Sequence, residues 1–212
     1  KSEILGFVNG DIMVFQGLVE SVKHVDSRYG NFLLVGRRHM GNGVLLFEEN
    51  HVRESFMQVK EQVRHLPLDS GYAIDYFIAR RNDWSKLLSG FPPFLAGAWR
   101  WDNALLSHAY RDKSIKVVDG TKTVIALHQI TPVDKKHETR RGAQYNNELA
   151  HSYSGEDFWF GSIAFADILL TEGTQGIIGE PQGKFQALLR KAFDAGLLST
   201  LDDISDFRDL FE

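Results

Sequence analysis

The 212-residue sequence contains no cysteine, so disulfides, thiolate metal sites and cysteine nucleophiles are all excluded. No apolar run approaches the roughly 18 residues of a membrane-spanning helix, so we expect no membrane segment in this chain. The net charge of −4 leaves no basic stripe of the kind that neutralises nucleic-acid phosphates. These absences argue against a thiol enzyme and against a nucleic-acid-binding protein.

A start methionine is also absent, because the chain begins Lys1-Ser-Glu-Ile, and these residues do not resemble a signal peptide. We therefore expect the sequence to begin part-way into a larger protein. Either the cytosol or the lumen of the secretory pathway is compatible with this composition. What the chain does contain is 43% hydrophobic and 12% aromatic residues, which is typical of a globular domain with a filled core.

Short apolar runs and amphipathic stretches alternate along the chain. The runs predict strands and the stretches predict helices, because their apolar residues recur every three to four positions. Strands are predicted at 4–8, 31–38, 72–79 and 123–128, and helices at 17–25, 48–66, 101–110 and 185–195. This alternation predicts an α/β fold with a mixed, mainly parallel sheet flanked by helices.

Polar residues stand where three of the predicted strands end: Asn9-Gly10-Asp11, Arg37-Arg38 and His128. Ligands of α/β sheets gather at the carboxyl ends of strands, so we expect these side chains to lie close together. The Asp11 carboxylate can reach a hard divalent cation whose other ligands are phosphate oxygens and water, although the tripeptide also suits a plain turn or a helix cap. His128 is a candidate ligand, while a lone histidine is more often structural or solvated.

Two further carboxylates are candidates for function. Asp75 interrupts an apolar strand, where an acid must be paired or hydrogen-bonded. It either orients sugar hydroxyls or pairs with a structural partner such as Arg80 or Arg81. Asp102 stands in Trp99-Arg-Trp-Asp-Asn, where it is either a helix N-cap or a general base that accepts a proton from an attacking hydroxyl. The tryptophans beside it form either a sugar-stacking wall or part of the core.

These motifs follow one another in a fixed order over residues 4–150: a strand ending in Asn9-Gly-Asp, Phe32-Leu-Leu-Val-Gly-Arg-Arg, Ile74-Asp-Tyr-Phe-Ile, Pro92-Pro-Phe-Leu-Ala-Gly-Ala-Trp-Arg-Trp-Asp-Asn, Val117-Val-Asp-Gly-Thr and Ala126-Leu-His-Gln. In this order they resemble a GT-A-type nucleotide-diphospho-sugar transferase, a glycosyltransferase. Members of that group commonly show Asn-Ala-Asp or Asn-Ser-Asp at the first position, which is a form of the Asp-x-Asp metal motif. This sequence retains only the second acid of that motif.

The resemblance implies that residues 1–150 form a GT-A-like catalytic region with the metal and sugar site. Beyond residue 150 it fades, so we expect residues 151–212 to form an accessory or packing segment with a C-terminal helix. The resemblance also implies a role for each position. Asp11 and His128 would bind Mn²⁺ or Mg²⁺ at the diphosphate of a nucleotide-sugar donor. Asp102 would be the catalytic base that activates a hydroxyl acceptor, either a glycan or another small molecule, for a transfer that inverts the sugar. The residues assigned to substrate binding are Asp75, Trp101, Asn103 and Arg37.

A GT-A domain usually opens with a strand and loops that hold the nucleotide base and ribose, ahead of the metal-motif strand. Here the metal-motif strand is already at residues 4–8, so the resemblance implies that the nucleotide-binding part is missing or supplied by another segment. Two rival functions are a non-catalytic nucleotide-sugar-binding module, or degenerate transferase, and a metal-dependent phosphoesterase that uses Asp11, Asp75 and His128. The dense His and Asp clusters of two-metal sites are lacking in this sequence.

Overall fold

The computed structural model of the chain describes residues 3–15, 17–42, 52–130, 141–154 and 161–183. The predicted C-terminal helix at 185–195 lies outside these residues. The strands are β1 Ile4–Val8, β2 Ile12–Val14, β3 Phe32–Arg37, β4 His39–Asn42, β5 Ile74–Arg80, β6 Lys116–Asp119, β7 Ala126–Ile130, β8 Ile168–Gly173 and β9 Gly176–Pro181. The helices are α1 Leu18–Arg28, α2 Val52–Val63, α3 Arg81–Leu88, α4 Trp101–Arg111 and α5 Arg141–Ser154, with a 3₁₀ helix at Ile163–Phe165.

The main sheet has six strands in the order β1-β5-β3-β6-β8-β9. β6 lies parallel to β3 and to β8, whereas the β1–β5, β3–β5 and β8–β9 pairs are antiparallel. The prediction of a mixed α/β sheet is confirmed, but the prediction that it is mainly parallel is wrong. One cause is local: only two residues separate Gly173 from Gly176, and so short a turn can join antiparallel strands only.

Successive side chains of β3 pack into different layers of the protein. Leu33 and Val35 belong to the cluster that holds residues of α3 and α4. Phe32 and Leu34 belong to the cluster that holds residues of α1 and β7. All four side chains are fully buried, as a strand covered on both faces requires.

A second sheet of three strands, in the order β2-β7-β4, lies beside the first. β7 runs antiparallel to β2 and parallel to β4. A turn follows Asp119, since the Thr123 and Val124 amides both donate to the Gly120 carbonyl. However, the strands on its two sides, β6 and β7, join different sheets. Because β7 continues to Ile130 in its pairing with β4, His128 lies in the middle of a strand and not at its end.

The main sheet continues past residue 150, which itself falls inside α5. β8 pairs with β6, and β9 pairs with β8, so the described residues 161–183 extend the sheet that contains β1. Leu170 of β8 is fully buried in the same cluster as Leu34 of β3. No helix among the described residues is long and apolar enough to cross a membrane.

The polar candidates come together because of strand direction. β1 ends at Val8, opposite Tyr76 near the start of the antiparallel β5, so the segment after β1 meets the first residues of β5. The Asn9 amide donates to the Asp75 carbonyl at 3.0 Å, which continues this ladder by one residue. On the second sheet, Ile12 of β2 pairs with His128 of β7.

Candidate functional site

A cavity of about 620 Å³ opens at this edge of the two sheets. It is bounded by the turn after β1, the segment between α2 and β5, the loop before α4 and the first turn of α4. Its lining residues are Asn9, Gly10, Asp11, Arg38, Asp69, Ser70, Tyr72, Ala73, Asp75, Gly97, Ala98, Trp99, Arg100, Trp101, Asp102, Asn103 and His128. Six of the seven predicted site residues therefore line one cavity, and Arg37 is the exception.

Asp11 and His128 face each other on one wall of the cavity. The Asn9-Gly10-Asp11 tripeptide is a tight turn, because the Ile12 amide donates back to the Asn9 carbonyl at 3.1 Å. This turn leaves the Asp11 carboxylate about half exposed, with its Oδ2 atom 3.2 Å from Nε2 of His128. The other ring nitrogen of His128, Nδ1, is buried and has no hydrogen-bond partner among the described residues.

Asp75 is a buried hub at the start of β5 and is only 4% exposed. Its Oδ1 accepts a hydrogen bond from the Asn9 amide side chain, and its Oδ2 accepts one from Nη1 of Arg38. The partners suggested by the sequence lie elsewhere, since Arg80 pairs with Asp26 and Arg81 with Glu3. Asp75 is thus both a paired structural acid and a cavity residue.

The arginine at the cavity is Arg38. The Nε atom of Arg37 donates to the Asp69 carbonyl at 2.7 Å, and its backbone amide donates to Oγ1 of Thr121 at 3.0 Å. Arg38 instead reaches the Asp69 and Asp75 carboxylates, with Nε 3.1 Å from Oδ2 of Asp69. Burial opposes its charge, but the two carboxylates outweigh burial and raise the pKa of the Arg38 guanidinium.

Asp102 is the second residue of α4 and is not its N-cap. That position belongs to Arg100, which makes no side-chain capping bond. Asp102 is partly buried beside the cavity, where its Oδ1 accepts the Asn103 amide at 2.9 Å. Burial raises the pKa of Asp102 to about 7, and the Asp75 charge adds to this rise, while the Asn103 amide and Arg38 oppose it. A carboxyl with such a pKa exchanges protons near neutral pH, as a general base must.

The two neighbours of Asp102 have mainly structural contacts. Trp101 is 7% exposed and packs between Phe7 and Phe77, with ring centroids 4.7 and 5.1 Å away. The Asn103 amide donates to the carbonyls of Tyr72 and Gly161, at 3.0 and 3.2 Å. Asn103 therefore fixes the first turn of α4 against the start of β5.

Trp99, which the sequence analysis did not assign, is the exposed aromatic of the cavity. It is 60% exposed, and the Arg100 guanidinium lies 5.3 Å from its ring centroid. The backbone beside it is unusual: Gly97 has φ 75° and Arg100 has φ 72°. Among the described residues, Arg100 is the one non-glycine residue with positive φ, a conformation that bulky side chains rarely adopt outside functional sites.

Three further charged residues line the cavity: Arg38, which the sequence placed with Arg37 at a strand end without a role of its own, and Asp69 and Arg100, which sequence reasoning missed. Arg38 had a signal, because the side chains of adjacent residues in an extended segment point to opposite sides, so only one of Arg37 and Arg38 faces the cavity. Nothing in the sequence marks Asp69, which lies in the segment between α2 and β5 and enters the site through its pairing with Arg38.

Within the described ranges, no group of three or more His, Cys, Asp or Glu side chains is placed to hold a metal ion. Asp11 and His128 form a pair, so any cation held there needs further ligands from a bound molecule or from water. Comparisons with models of known protein families, with curated proteins and with solved structures find no match to this chain.

Proposed function

We propose that the protein is a metal-assisted glycosyltransferase that moves a sugar from a nucleoside-diphosphate sugar to a hydroxyl acceptor. The observation that carries this proposal is the meeting of two kinds of group in one cavity. The half-exposed Asp11 and the largely buried His128 form a pair on one wall, and Asp102, with its raised pKa, lies on another. The order of the sequence motifs, which resembles GT-A transferases, agrees with this arrangement, and the fold we propose is correspondingly GT-A-like.

The Asp11–His128 pair suits one divalent cation, Mn²⁺ or Mg²⁺. Adjacent ligands of an octahedral cation with bonds of about 2.1 Å lie roughly 3 Å apart. The observed separation of 3.2 Å between Oδ2 of Asp11 and Nε2 of His128 fits that spacing. A cation bound there would neutralise charge on the departing diphosphate.

Asp102 is the proposed base of a single displacement. Its carboxylate takes the proton of the acceptor hydroxyl as that oxygen bonds to the anomeric carbon. The bond from the anomeric carbon to the diphosphate oxygen breaks at the same time, and the nucleoside diphosphate leaves with the bonding electrons. Attack from the face opposite the leaving group inverts the anomeric centre. Asp75, which is held by Asn9 and Arg38, contributes to the raised pKa of Asp102.

The remaining walls suit a sugar. Trp99 presents an exposed indole, and flat apolar faces of sugar rings pack on such rings. Arg38, with a raised pKa, supplies a fixed positive charge at the cavity beside Asp75 and Asp69. We infer that Asp75 and Arg38 border the bound sugar. Trp101 and Asn103 support this wall of the cavity through their contacts with the protein interior.

The test is to incubate the purified protein with a panel of nucleoside-diphosphate sugars, Mn²⁺ and hydroxyl acceptors, and to measure released nucleoside diphosphate. We expect release that needs both the metal and an acceptor. Below pH 7 the rate should rise about tenfold per pH unit and then level off, because Asp102 must lose its proton to act as a base. Asp102→Asn should lower kcat by about 10²–10⁴-fold, which is the usual contribution of a positioned base.

Asp112→Asn is the matched control, since it makes the same change at the opposite end of α4, outside the cavity. It should leave kcat within about twofold. Tight binding of nucleotide sugars without any release would favour the non-catalytic binding module instead. Hydrolysis of phosphoesters without an acceptor would favour a phosphoesterase. An Asp102→Asn variant with full activity would overturn the base assignment.

A further inference from the structure

Asn146, in the middle of α5, is fully buried, and both its side-chain oxygen and its side-chain nitrogen are hydrogen-bonded. All its described side-chain bonds go to the backbone of one short segment, residues 95–99. Its Oδ1 accepts the Leu95 amide at 2.9 Å. Its Nδ2 lies 2.9, 3.2 and 3.1 Å from the carbonyl oxygens of Leu95, Ala98 and Trp99, so its two hydrogens are shared among three acceptors. One side chain therefore replaces the regular backbone pairing that this segment lacks.

The segment that Asn146 holds leads directly into the first turn of α4. The Trp101 amide donates to the Ala98 carbonyl, which Asn146 also contacts, and the Ala104 amide donates to the Arg100 carbonyl. The same stretch contains two left-handed residues, Gly97 and Arg100. Glycine adopts this conformation at little cost, but Arg100 does not, so its conformation persists because surrounding contacts impose it.

The approach of α5 to this segment is close. A Cβ atom added to Gly142, one turn before Asn146, would lie 3.3 Å from Cβ of Ala98 and 3.5 Å from Cδ1 of Leu95. Further along α5, Ala150 packs against Ala104 of α4. The side chain of Asn146 thus stands where α5, the segment 95–99 and α4 meet.

We propose that Asn146 is a positioning residue for Asp102: by holding segment 95–99 it fixes the start of α4 and the carboxyl that this start carries into the cavity. The proposal rests on the proposed function for its kinetic consequence, but the position of Asp102 is measurable without any substrate. Asn146 itself does not line the cavity, so it acts through the backbone it binds.

The test compares Asn146→Ala with Tyr145→Phe, its neighbour on α5. The Tyr145 hydroxyl donates to the Pro93 carbonyl at 3.3 Å, outside segment 95–99, so this control removes one bond from the same helix to the same loop. The first readout is the carboxyl ¹³C titration of Asp102, assigned with Asp102→Asn. In Asn146→Ala we expect the Asp102 pKa to fall by at least one unit, since the loosened segment admits water. In Tyr145→Phe it should stay within a few tenths of a unit.

The second readout is release of nucleoside diphosphate from the nucleotide sugar that gives the highest activity. Asn146→Ala should lower kcat more than tenfold while KM for the donor changes less than twofold. If Asn146→Ala does not fold, Asn146→Ser takes its place in both measurements, because serine keeps one hydroxyl donor. A folded Asn146 variant with an unchanged Asp102 titration overturns the proposal. If the wild type releases no nucleoside diphosphate, the proposed function fails, and the titration still decides the role of Asn146.

Discussion

The carboxyl of Asp102 keeps its proton to about pH 7 in the folded protein, whereas in the unfolded chain it loses it near pH 3.8. Between these values the native state binds more protons than the unfolded state. The free energy of unfolding therefore falls as pH rises through this window, by up to about 1.4 kcal/mol per unit of pKa difference. Its stabilising contribution is present below pH 3.8 and is lost once the pH passes about 7.

We expect Asp102→Asn to remove this loss, because an amide of the same shape does not titrate and still accepts the Asn103 amide hydrogen bond. Urea denaturation at pH 5, 6, 7 and 8 should show the variant gaining stability relative to wild type as pH rises to 7. Asp112→Asn is the control for this series: hydrogen bonds from Ser114 lower the pKa of Asp112 below its ordinary 3.8, so Asp112 is ionised in both states from pH 5 to 8 and the Asp112→Asn curve should run parallel to wild type. Parallel curves for Asp102→Asn and wild type would contradict the raised pKa.

The structure gives a physical reason for the asparagine at position 9, the first residue of the Asn9-Gly10-Asp11 tripeptide. The Asn9 side chain donates its amide hydrogen to Oδ1 of Asp75, whose other oxygen accepts from Arg38. An aspartate at position 9 would place two carboxylates in contact at a largely buried point, where like charges strongly disfavour ionisation. Asn9 therefore binds Asp75 without adding a second negative charge, and Asp11 is the acid of this tripeptide that faces the cavity.

At the scale of elements, the entry into α4 depends on backbone conformation. Gly97 has φ 75°, and a Cβ atom added there would meet no heavy atom within 4 Å. The effect of an alanine at this position is therefore conformational and not a clash. A left-handed residue with a side chain costs about 1–2 kcal/mol.

We expect Gly97→Ala to lower the free energy of unfolding by about 1 kcal/mol. It should also lower the rate of nucleoside diphosphate release, because the same turn sets Trp99 and Asp102. Gly30→Ala is the matched control, since position 30 is equally open and does not have positive φ. Urea denaturation and the release assay on both variants provide the comparison. Equal stability of the two variants would mean that the segment before α4 adapts freely.

Local pattern was enough to find most of the elements that build the site. The apolar runs before Asn9 and around Asp75 are strands β1 and β5, and the segment from Trp101 is helix α4. The pairing of strands was not predictable in the same way, because direction and order depend on contacts between distant segments. For this reason two sequence predictions are wrong: the sheet is not mainly parallel, and His128 does not lie at a strand end.

At the site, too, local pattern predicts the type of residue, while contacts with distant segments decide its role, as Arg37 and Arg38 show. Both were visible as cations after an apolar strand, but their partners, Asp69 and Asp75, lie more than 30 residues away. Trp99 and Trp101 were equally ambiguous, because sequence alone does not tell which indole packs on Phe7. Burial by distant segments decides each case, so the type of residue was predictable and its orientation was not.

At the scale of the whole molecule, the sheet joins the site to residues beyond 150. β6 lies between β3, whose end leads to Arg38, and β8. β8 contributes Leu170, which is fully buried, to the cluster that also contains Tyr76 of β5. The described residues 161–183 are therefore expected to fold with the site and not as an independent accessory unit.

Leu170→Ala tests this coupling. Removing a fully buried leucine side chain costs about 2–5 kcal/mol, and we expect the loss to appear in one transition of the whole chain. The unfolding transition seen by tryptophan fluorescence, to which Trp84 and Trp101 on the opposite face of the sheet contribute, should shift to lower urea together with that seen by far-UV circular dichroism. Ile178→Ala on β9 is the control, because Ile178 is 49% exposed and its truncation should cost less than about 1 kcal/mol. If the tryptophan transition stays at the wild-type position in Leu170→Ala, residues 161–183 unfold on their own, and the site does not depend on them.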